Sequence, residues 1–129
     1  MATFKVLVID DEVNYPTAFK LLVETKGDNA VHVASSGPEG LKMAKEKRPD
    51  LIFLDVMMPG MDGIEVLKRL KGDRELRNIP VIMLTAVETE KAKIETMDLD
   101  VECYLNKPLE MEVLLDRIDE IKNRSRGGG

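Results

Sequence analysis

Residues 51–63, which read LIFLDVMMPGMDG, decide the fold of this chain. Four apolar residues lead into Asp55, and a run of this length suits a buried strand and is too short to span a membrane. Pro59 and Gly60 end regular structure, so Asp55 is expected at the carboxyl end of the strand, facing a loop. Because open parallel sheets bind ligands at that end of their strands, the Asp55 carboxylate is a candidate functional group.

The composition is that of one soluble domain. The chain has 129 residues, of which 43% are hydrophobic and 33% charged, enough to bury a core. The net charge of −5 argues against direct binding to nucleic-acid phosphates. We expect a cytoplasmic protein without membrane contact, because no apolar run has the length of a transmembrane helix and the first residues lack the features of a secretory signal. The single cysteine, Cys103, rules out an internal disulfide and fits a reducing compartment.

Segments with strand and helix patterns alternate along the chain. Apolar runs of strand length occupy residues 5–9, 30–34, 51–54, 81–84 and 102–105. Helical spacing follows over about 15–26, 36–47, 62–71, 88–97 and 110–123, with a capping box at 36–39 and an N-cap at Asp62. Five β-α units predict a parallel sheet with helices on both faces. The fourth helix has only Ala92, Ile94 and Met97 to bury, so we expect it to be the least firmly packed.

The continuity of the apolar runs indicates the order of the strands. The first, third and fourth runs are unbroken, which is typical of strands covered on both faces. The second and fifth are short and more polar, as expected at edges. This favours the doubly wound order 2-1-3-4-5 in one α/β domain over residues 1–124. Residues 125–129 are basic and rich in glycine, and we expect a flexible tail that is either a linker or a cloning remnant.

In that order, the polar groups that end the strands meet at one edge of the sheet. They are Asp10 and Asp11 after the first strand, Asp55 after the third, Thr85 after the fourth and Lys107 after the fifth. Clustered carboxylates repel one another unless a cation lies among them, and oxygen ligands without thiolates or imidazoles favour Mg²⁺. With Mg²⁺ bound, Asp55 is a candidate in-line nucleophile toward a phosphoryl group. Lys107 and the Thr85 hydroxyl would then contact the phosphoryl oxygens.

The same residues resemble the receiver domain of two-component response regulators over nearly the whole chain. The motifs are Asp10-Asp11, DVMMPGMDG from Asp55, Thr85-Ala86 and YLNKP from Tyr104. None is specific alone, but their order at successive strand ends is highly specific. The resemblance implies a flavodoxin-like (βα)5 fold. It also implies that a histidine kinase or a histidine phosphotransfer protein phosphorylates Asp55.

The resemblance implies a set of metal ligands as well. Asp11, Asp55 and the backbone carbonyl of Met57 would ligate Mg²⁺, and Asp10 would contact the ion directly or through water. The amide of Ala86 would help to hold the phosphoryl group. The peptide bond before Pro108 would be cis, an isomer tolerated almost only before proline.

A switching mechanism follows from the resemblance too. Phosphorylation adds nearly two negative charges to Asp55. Thr85 would then move toward the phosphoryl group and Tyr104 would rotate into the vacated space. This repacks the surface of the fourth helix, the fifth strand and the last helix, which a downstream partner or a separate effector domain would bind. The same surface is compatible with a homodimer through the fourth and last helices.

Two apolar residues flank the expected phosphorylation pocket. Met57 and Val87 lie two positions after Asp55 and Thr85, where many receivers carry a polar residue that positions the hydrolytic water. We therefore expect slow intrinsic dephosphorylation.

Other interpretations of these residues stay open from the sequence. Residues 10–12 fit a solvated acidic turn, and Thr85 fits the N-cap of a capping box over 85–88. Tyr104 fits ordinary half-buried packing. The favoured function is a switch that catalyses only its own phosphorylation and dephosphorylation. The alternatives are a phosphorylation-independent adaptor and a Mg²⁺-dependent phosphohydrolase of small molecules, although no second aspartate lies two residues after Asp55.

Overall fold

The computed structural model describes residues 3–12, 14–85 and 93–126, and it confirms the predicted doubly wound α/β fold. Within these ranges, five parallel strands pair in the order β2-β1-β3-β4-β5. The strands are β1 (Phe4–Ile9), β2 (Asn29–Ala34), β3 (Leu51–Asp55), β4 (Val81–Thr85) and β5 (Cys103–Asn106). The helices are α1 (Asn14–Glu24), α2 (Gly37–Lys47), α3 (Gly63–Lys71) and a C-terminal helix (Met111–Arg126). None of the helices in the described ranges combines the length and the hydropathy that a bilayer crossing needs.

Helices cover both faces of the sheet, as the continuous apolar strands predict. Every residue of β3 and β4 is buried. On one face, Leu54 of β3 shares a core with Leu67 of α3. On the other, Phe53 packs with Phe19 of α1 and Leu114 of the C-terminal helix. The rings of Phe19 and Phe53 meet edge to face with their centroids 5.6 Å apart. The central strands are therefore held rigidly, and so is the edge at which they end.

The edge strand β2 differs from the prediction in length. It has six residues, as many as β1, although the sequence pattern predicted a shorter strand. A pair of α1 side chains protects its outer side: Lys20 Nζ donates to the Val31 carbonyl at 2.9 Å, and Glu24 accepts from the Val31 N–H at 3.0 Å. Lys20 and Glu24 also pair with each other at 2.9 Å. These side chains occupy backbone groups of Val31 that a free edge of the sheet would leave exposed.

The prediction that Ile94 and Met97 are buried is wrong. Their side chains are 67% and 74% exposed, and Thr96 between them is fully buried. The helical turn ends at residue 95, so the helical spacing assumed over 88–97 does not extend to Thr96 and Met97. The first part of that predicted helix, with Ala92, lies outside the described residues.

Candidate functional site

The strand ends bring the predicted polar residues to the carboxyl edge of the sheet. Asp55 and Thr85 are the last residues of β3 and β4, and Asp10 follows β1. Backbone hydrogen bonds continue past the strands, from the Asp10 N–H to the Ala34 carbonyl at 3.0 Å and from the Lys107 N–H to the Thr85 carbonyl at 2.6 Å. The backbone positions of these residues are therefore set by the sheet itself.

Helix α3 begins directly against the backbone of Asp55. The Asp62 carboxylate accepts from the Glu65 N–H at 3.0 Å, which confirms Asp62 as the N-cap. The Gly63 N–H donates to the Val56 carbonyl at 2.9 Å. A Cβ at Gly63 would lie 2.1 Å from the Asp55 carbonyl oxygen, so only glycine permits this close approach.

Three aspartates converge at this edge. Each of Asp10, Asp11 and Asp55 offers a carboxylate oxygen, and these oxygens lie within 4.8 Å of one another. Asp10 and Asp55 are buried, whereas Asp11 is exposed. Oxygen ligands alone, gathered around buried negative charge, fit a hard divalent cation. The cluster could therefore hold a metal ion, with Asp11 reaching it from the solvent side.

Burial dominates the electrostatics of Asp55, whose exposed fraction is 2%. Burial and then the neighbouring charge of Asp10 raise the pKa of Asp55 to about 7, against an ordinary value of 3.8. The Lys107 ammonium opposes this rise, and so does the Met57 N–H, which donates to Asp55 Oδ1 at 3.3 Å. A cation bound among the carboxylates would favour the ionised form of Asp55, which is the form a nucleophile requires.

Lys107 reaches into the cluster from the loop after β5. Its Nζ lies 3.1 Å from Asp10 Oδ2, 2.9 Å from Glu12 Oε1 and 3.4 Å from Asp55 Oδ1, and its side chain is 15% exposed. Burial alone would lower the pKa of Lys107, but its hydrogen bonds to Glu12 and Asp10 outweigh burial and raise that pKa. Lys107 is therefore a permanent ammonium beside Asp55. The Lys107–Pro108 peptide is cis, as the resemblance implies.

Thr85 and Tyr104 lie at the same side of the sheet but have separate partners. The buried Thr85 hydroxyl donates to Asn106 Oδ1 at 2.9 Å. The Tyr104 hydroxyl is hydrogen-bonded to Thr96, and Lys93 Nζ lies 5.8 Å from the centroid of the Tyr104 ring. Among the described residues, no hydrogen bond joins Tyr104 to the aspartates. Ala86 and Val87 lie outside the described residues, together with most of the proposed capping box at 85–88.

Sequence reasoning missed three contributors to this edge. Glu12 pairs with Lys107, Asn106 accepts from Thr85, and Gly63 lets α3 approach Asp55. Glu12 adjoins the Asp10-Asp11 motif, Asn106 lies within the motif YLNKP, and the quoted segment around Asp55 contains Gly63. A sequence does not say which neighbour of a motif turns toward the site, so adjacency was the only available signal. The backbone carbonyl of Met57 stays a predicted ligand.

A doubly wound parallel sheet with carboxylates and a lysine at its switch point defines a class of α/β proteins that bind ligands at the carboxyl edge. Within this class, the chain belongs to the response regulator receiver domain family, whose model matches residues 6–119. Receiver domains of two-component response regulators are signalling switches, and the family match places this chain among them.

Individual relatives agree with this assignment. The chain is 39% identical over 121 residues to the alkaline phosphatase synthesis transcriptional regulatory protein PhoP of Bacillus subtilis, covering 94% of this chain and 49% of PhoP. It is 34% identical over 120 residues to chemotaxis protein CheY-3 of Vibrio cholerae, covering 93% of this chain and 92% of CheY-3. The structure of Vibrio cholerae chemotaxis protein CheY4 superposes with a TM-score of 0.84 at 30% identity, over 93% of this chain and 99% of that one. The chain thus spans only about half the length of PhoP, at 49%, and of the transcriptional regulator RpaA of Synechocystis, at 50%.

Proposed function

We propose that the chain is a Mg²⁺-dependent phosphoacceptor in which Asp55 takes a phosphoryl group from a histidine kinase or a histidine phosphotransfer protein. One observation carries the proposal: a buried carboxylate of raised pKa lies between two other aspartates and a lysine ammonium 3.4 Å away. This arrangement concentrates negative charge that a divalent cation would neutralise, and it offers a nucleophile beside a fixed positive charge. In this proposal residues 1–124 are the receiver and residues 125–129 are a tail.

The residues of the edge would divide the chemistry among them. Asp10, Asp11, Asp55 and the Met57 carbonyl would hold Mg²⁺, which supplies charge neutralisation for the carboxylates and the phosphoryl oxygens. The ionised Asp55 oxygen would form a bond to phosphorus while the bond from phosphorus to the donor histidine nitrogen breaks on the opposite side, and that nitrogen would leave with the electron pair. Lys107, which pairs with Asp10, Glu12 and Asp55, would pair with the phosphoryl oxygens as charge builds on them.

Two further residues would complete the binding of the phosphoryl group. The Thr85 hydroxyl would leave Asn106, to which it donates at 2.9 Å, and donate to a phosphoryl oxygen instead. The Ala86 amide would donate to the same group. Both roles extend the resemblance to the motif Thr85-Ala86.

The output would pass through Tyr104. Rotation of its ring toward the space left by Thr85 would break its hydrogen bond with the buried Thr96. Ile94 and Met97, which flank Thr96, are exposed apolar side chains and would form part of the surface that changes. A downstream partner, an effector domain or a second copy of the chain would bind there.

The proposal is tested by incubating the protein with acetyl phosphate and Mg²⁺, followed by intact mass measurement and mapping of the modified residue. We expect one phosphoryl group on Asp55, and none when the metal is chelated. Asp55→Asn should stay unmodified. Asp73→Asn, which changes a partly exposed carboxylate elsewhere, should be labelled like the wild type. Modification of another residue, or labelling of Asp55→Asn, would contradict the proposal.

The competing functions give different results in the same assay. A phosphohydrolase would release phosphate from small esters over many turnovers, and an adaptor would show no labelling of Asp55.

If Met57 slows hydrolysis of the acyl phosphate because it offers no polar group to a water, Met57→Asn should shorten the lifetime of the phosphorylated state. An unchanged lifetime would remove that explanation.

A further inference from the structure

Lys107 has a carboxylate partner that is not one of the three aspartates. Its distance to Glu12 Oε1 is 2.9 Å, shorter than those to Asp10 Oδ2 at 3.1 Å and Asp55 Oδ1 at 3.4 Å. The Glu12 side chain is 55% exposed, whereas Asp10 and Asp55 are almost fully buried. Glu12 therefore lies on the solvent side of the cluster, where a phosphoryl donor would enter.

Both the backbone and the side chain of Glu12 are tied to the cluster. Its N–H donates to Asp10 Oδ1 at 3.0 Å, and its carboxylate accepts from Lys107, 95 residues away in the chain. Within the described residues, the group of carboxylates that converges within 4.8 Å consists of the three aspartates without Glu12. Glu12 thus adds a negative charge at the entrance without belonging to the candidate metal ligands.

We propose that Glu12 is a specificity-determining residue for the phosphoryl donor, and that its carboxylate selects against small donors that carry two negative charges. The inference rests on the proposed role of Asp55 as phosphoacceptor. A like charge at the entrance repels a dianion more than a monoanion, and salt screens that repulsion because the residue is exposed. Donors in which the phosphoryl group is bound to a protonated nitrogen are therefore favoured over acyl phosphates.

Two small phosphoryl donors of different charge distinguish repulsion by the Glu12 carboxylate from an effect on the phosphoryl transfer step itself. At neutral pH acetyl phosphate is a dianion, and phosphoramidate is a monoanion because its nitrogen is protonated. With acetyl phosphate, an Asp55 oxygen forms the new O–P bond while the bridging P–O bond breaks, and acetate leaves with the electron pair. With phosphoramidate, the P–N bond breaks and ammonia leaves with the electron pair. A residue that acts through charge changes the ratio of the two rate constants.

The experiment measures both rate constants with Mg²⁺ at low and high ionic strength, following Asp55 phosphorylation by intact mass. The variants are Glu12→Gln and the matched control Glu75→Gln. Glu75 is a fair control because its carboxylate pairs with Lys45 and Arg48 at 3.3 and 3.1 Å and is 49% exposed. We expect Glu12→Gln to raise the acetyl phosphate to phosphoramidate ratio about 3- to 10-fold at low salt. Glu75→Gln should keep the wild-type ratio.

Salt gives a second test that needs no substitution. In the wild type, the same ratio should rise with ionic strength, because screening weakens the repulsion by Glu12. In Glu12→Gln the ratio should respond less to salt.

Each contrary outcome has a separate meaning. An unchanged ratio in Glu12→Gln, with Asp55 still phosphorylated, would overturn this inference and leave the proposed function intact. If Glu12 only positioned Lys107, both rate constants would change by the same factor and the ratio would again stay constant. An equal rise in Glu75→Gln would assign the effect to net charge and overturn the role of Glu12. Failure of both donors to label Asp55 in the wild type would overturn the inference and the proposed function together.

Discussion

Two charge clusters lie at opposite edges of the same sheet, and their contacts are of similar length. The carboxyl-edge cluster consists of Asp10, Asp11, Glu12, Asp55 and Lys107. The amino-edge cluster, at the C-terminal ends of α2 and α3, consists of Lys45, Arg48, Asp73 and Glu75. The ion pairs span 2.9 to 3.4 Å in the first and 2.8 to 3.3 Å in the second. Pairing distance therefore does not distinguish them.

Burial and charge balance do distinguish the two clusters. In the amino-edge cluster two cations face two carboxylates in solvent, and the hydrogen bond from Lys45 lowers the pKa of Asp73. In the carboxyl-edge cluster three carboxylates pair with one ammonium and Asp11 adds a fourth negative charge, and burial raises the pKa of Asp55 although Lys107 lies 3.4 Å away. An excess of buried negative charge destabilises the fold unless a ligand compensates it. Such an excess is what a functional site at the carboxyl edge would be expected to show, whereas the amino-edge cluster is typical of an ordinary surface.

The largest change in the free energy of unfolding is expected when the carboxyl-edge cluster loses the Lys107 ammonium. Lys107→Met leaves buried Asp10 and Asp55 without their ammonium, and breaking a buried pair in this way costs about 3 to 5 kcal/mol of the free energy of unfolding. The loss should be greatest at pH 8 and should shrink toward pH 4, where carboxylates take up protons. Urea unfolding at several pH values measures it. Lys45→Met should stay close to the wild type, and equal losses for the two lysines would break the comparison.

Removing the charge of Asp55 should change the free energy of unfolding in the opposite direction and stabilise the fold. The folded state holds the pKa of Asp55 at about 7, above the ordinary 3.8, so the wild type loses stability as pH rises from about 4 through 7. Each pKa unit is worth about 1.4 kcal/mol. We therefore expect Asp55→Asn to raise the free energy of unfolding at pH 8 without divalent cations, by at most about 4 kcal/mol. The gain should vanish near pH 4. A lower stability at pH 8 would mean that the pairing with Lys107 outweighs burial.

The architecture was predictable because few physical choices were open. Unbroken apolar runs around Leu54 and Leu84 had to be central strands, and the carboxyl ends of parallel strands must meet at one edge. Asp10, Asp55 and Thr85 therefore converge as their positions in the sequence predict. These inferences need only the period and length of each segment, which the sequence carries directly.

The parts that sequence reasoning missed depend on where single side chains turn. Glu12 joins Lys107 across 95 residues, and no local pattern marks which acid of the triplet does so. The burial of Met97 was predicted wrongly because helical periodicity was extended past residue 95, where the helical turn ends, whereas Ile94 lies within that turn and is exposed all the same. Periodicity describes an element while it lasts, but it does not show where the element ends; Thr96, the first residue after the helical turn, is buried and hydrogen-bonded to Tyr104.

Magnesium should relieve the charge excess and stabilise the fold. At pH 8 and a Mg²⁺ concentration ten times the Kd, the free energy of unfolding should rise by about 1.4 kcal/mol. The apparent affinity should weaken toward pH 6, because protonation of Asp55 competes with the cation at its pKa of about 7. Thermal unfolding with MgCl2 against NaCl of equal ionic strength measures the effect. Asp11→Asn should reduce the stabilisation, and full retention in that variant would exclude Asp11 as a ligand.

The smallest change in stability is expected for a substitution in the amino-edge cluster. Asp73→Asn removes the partner that lies 2.8 Å from Lys45 Nζ, but Glu75 remains 3.3 Å from the same atom and water reaches all of these groups. We expect the urea midpoint at pH 7 to stay within experimental error, and added salt to remove any residual difference. Because the pKa of Asp73 is lowered in the folded state, any loss should appear above its ordinary value of 3.8 and disappear below it. This is the reverse of the pH dependence expected for Asp55. If Asp73→Asn instead stabilised the protein at high pH, the contrast between the two edges would not come from burial.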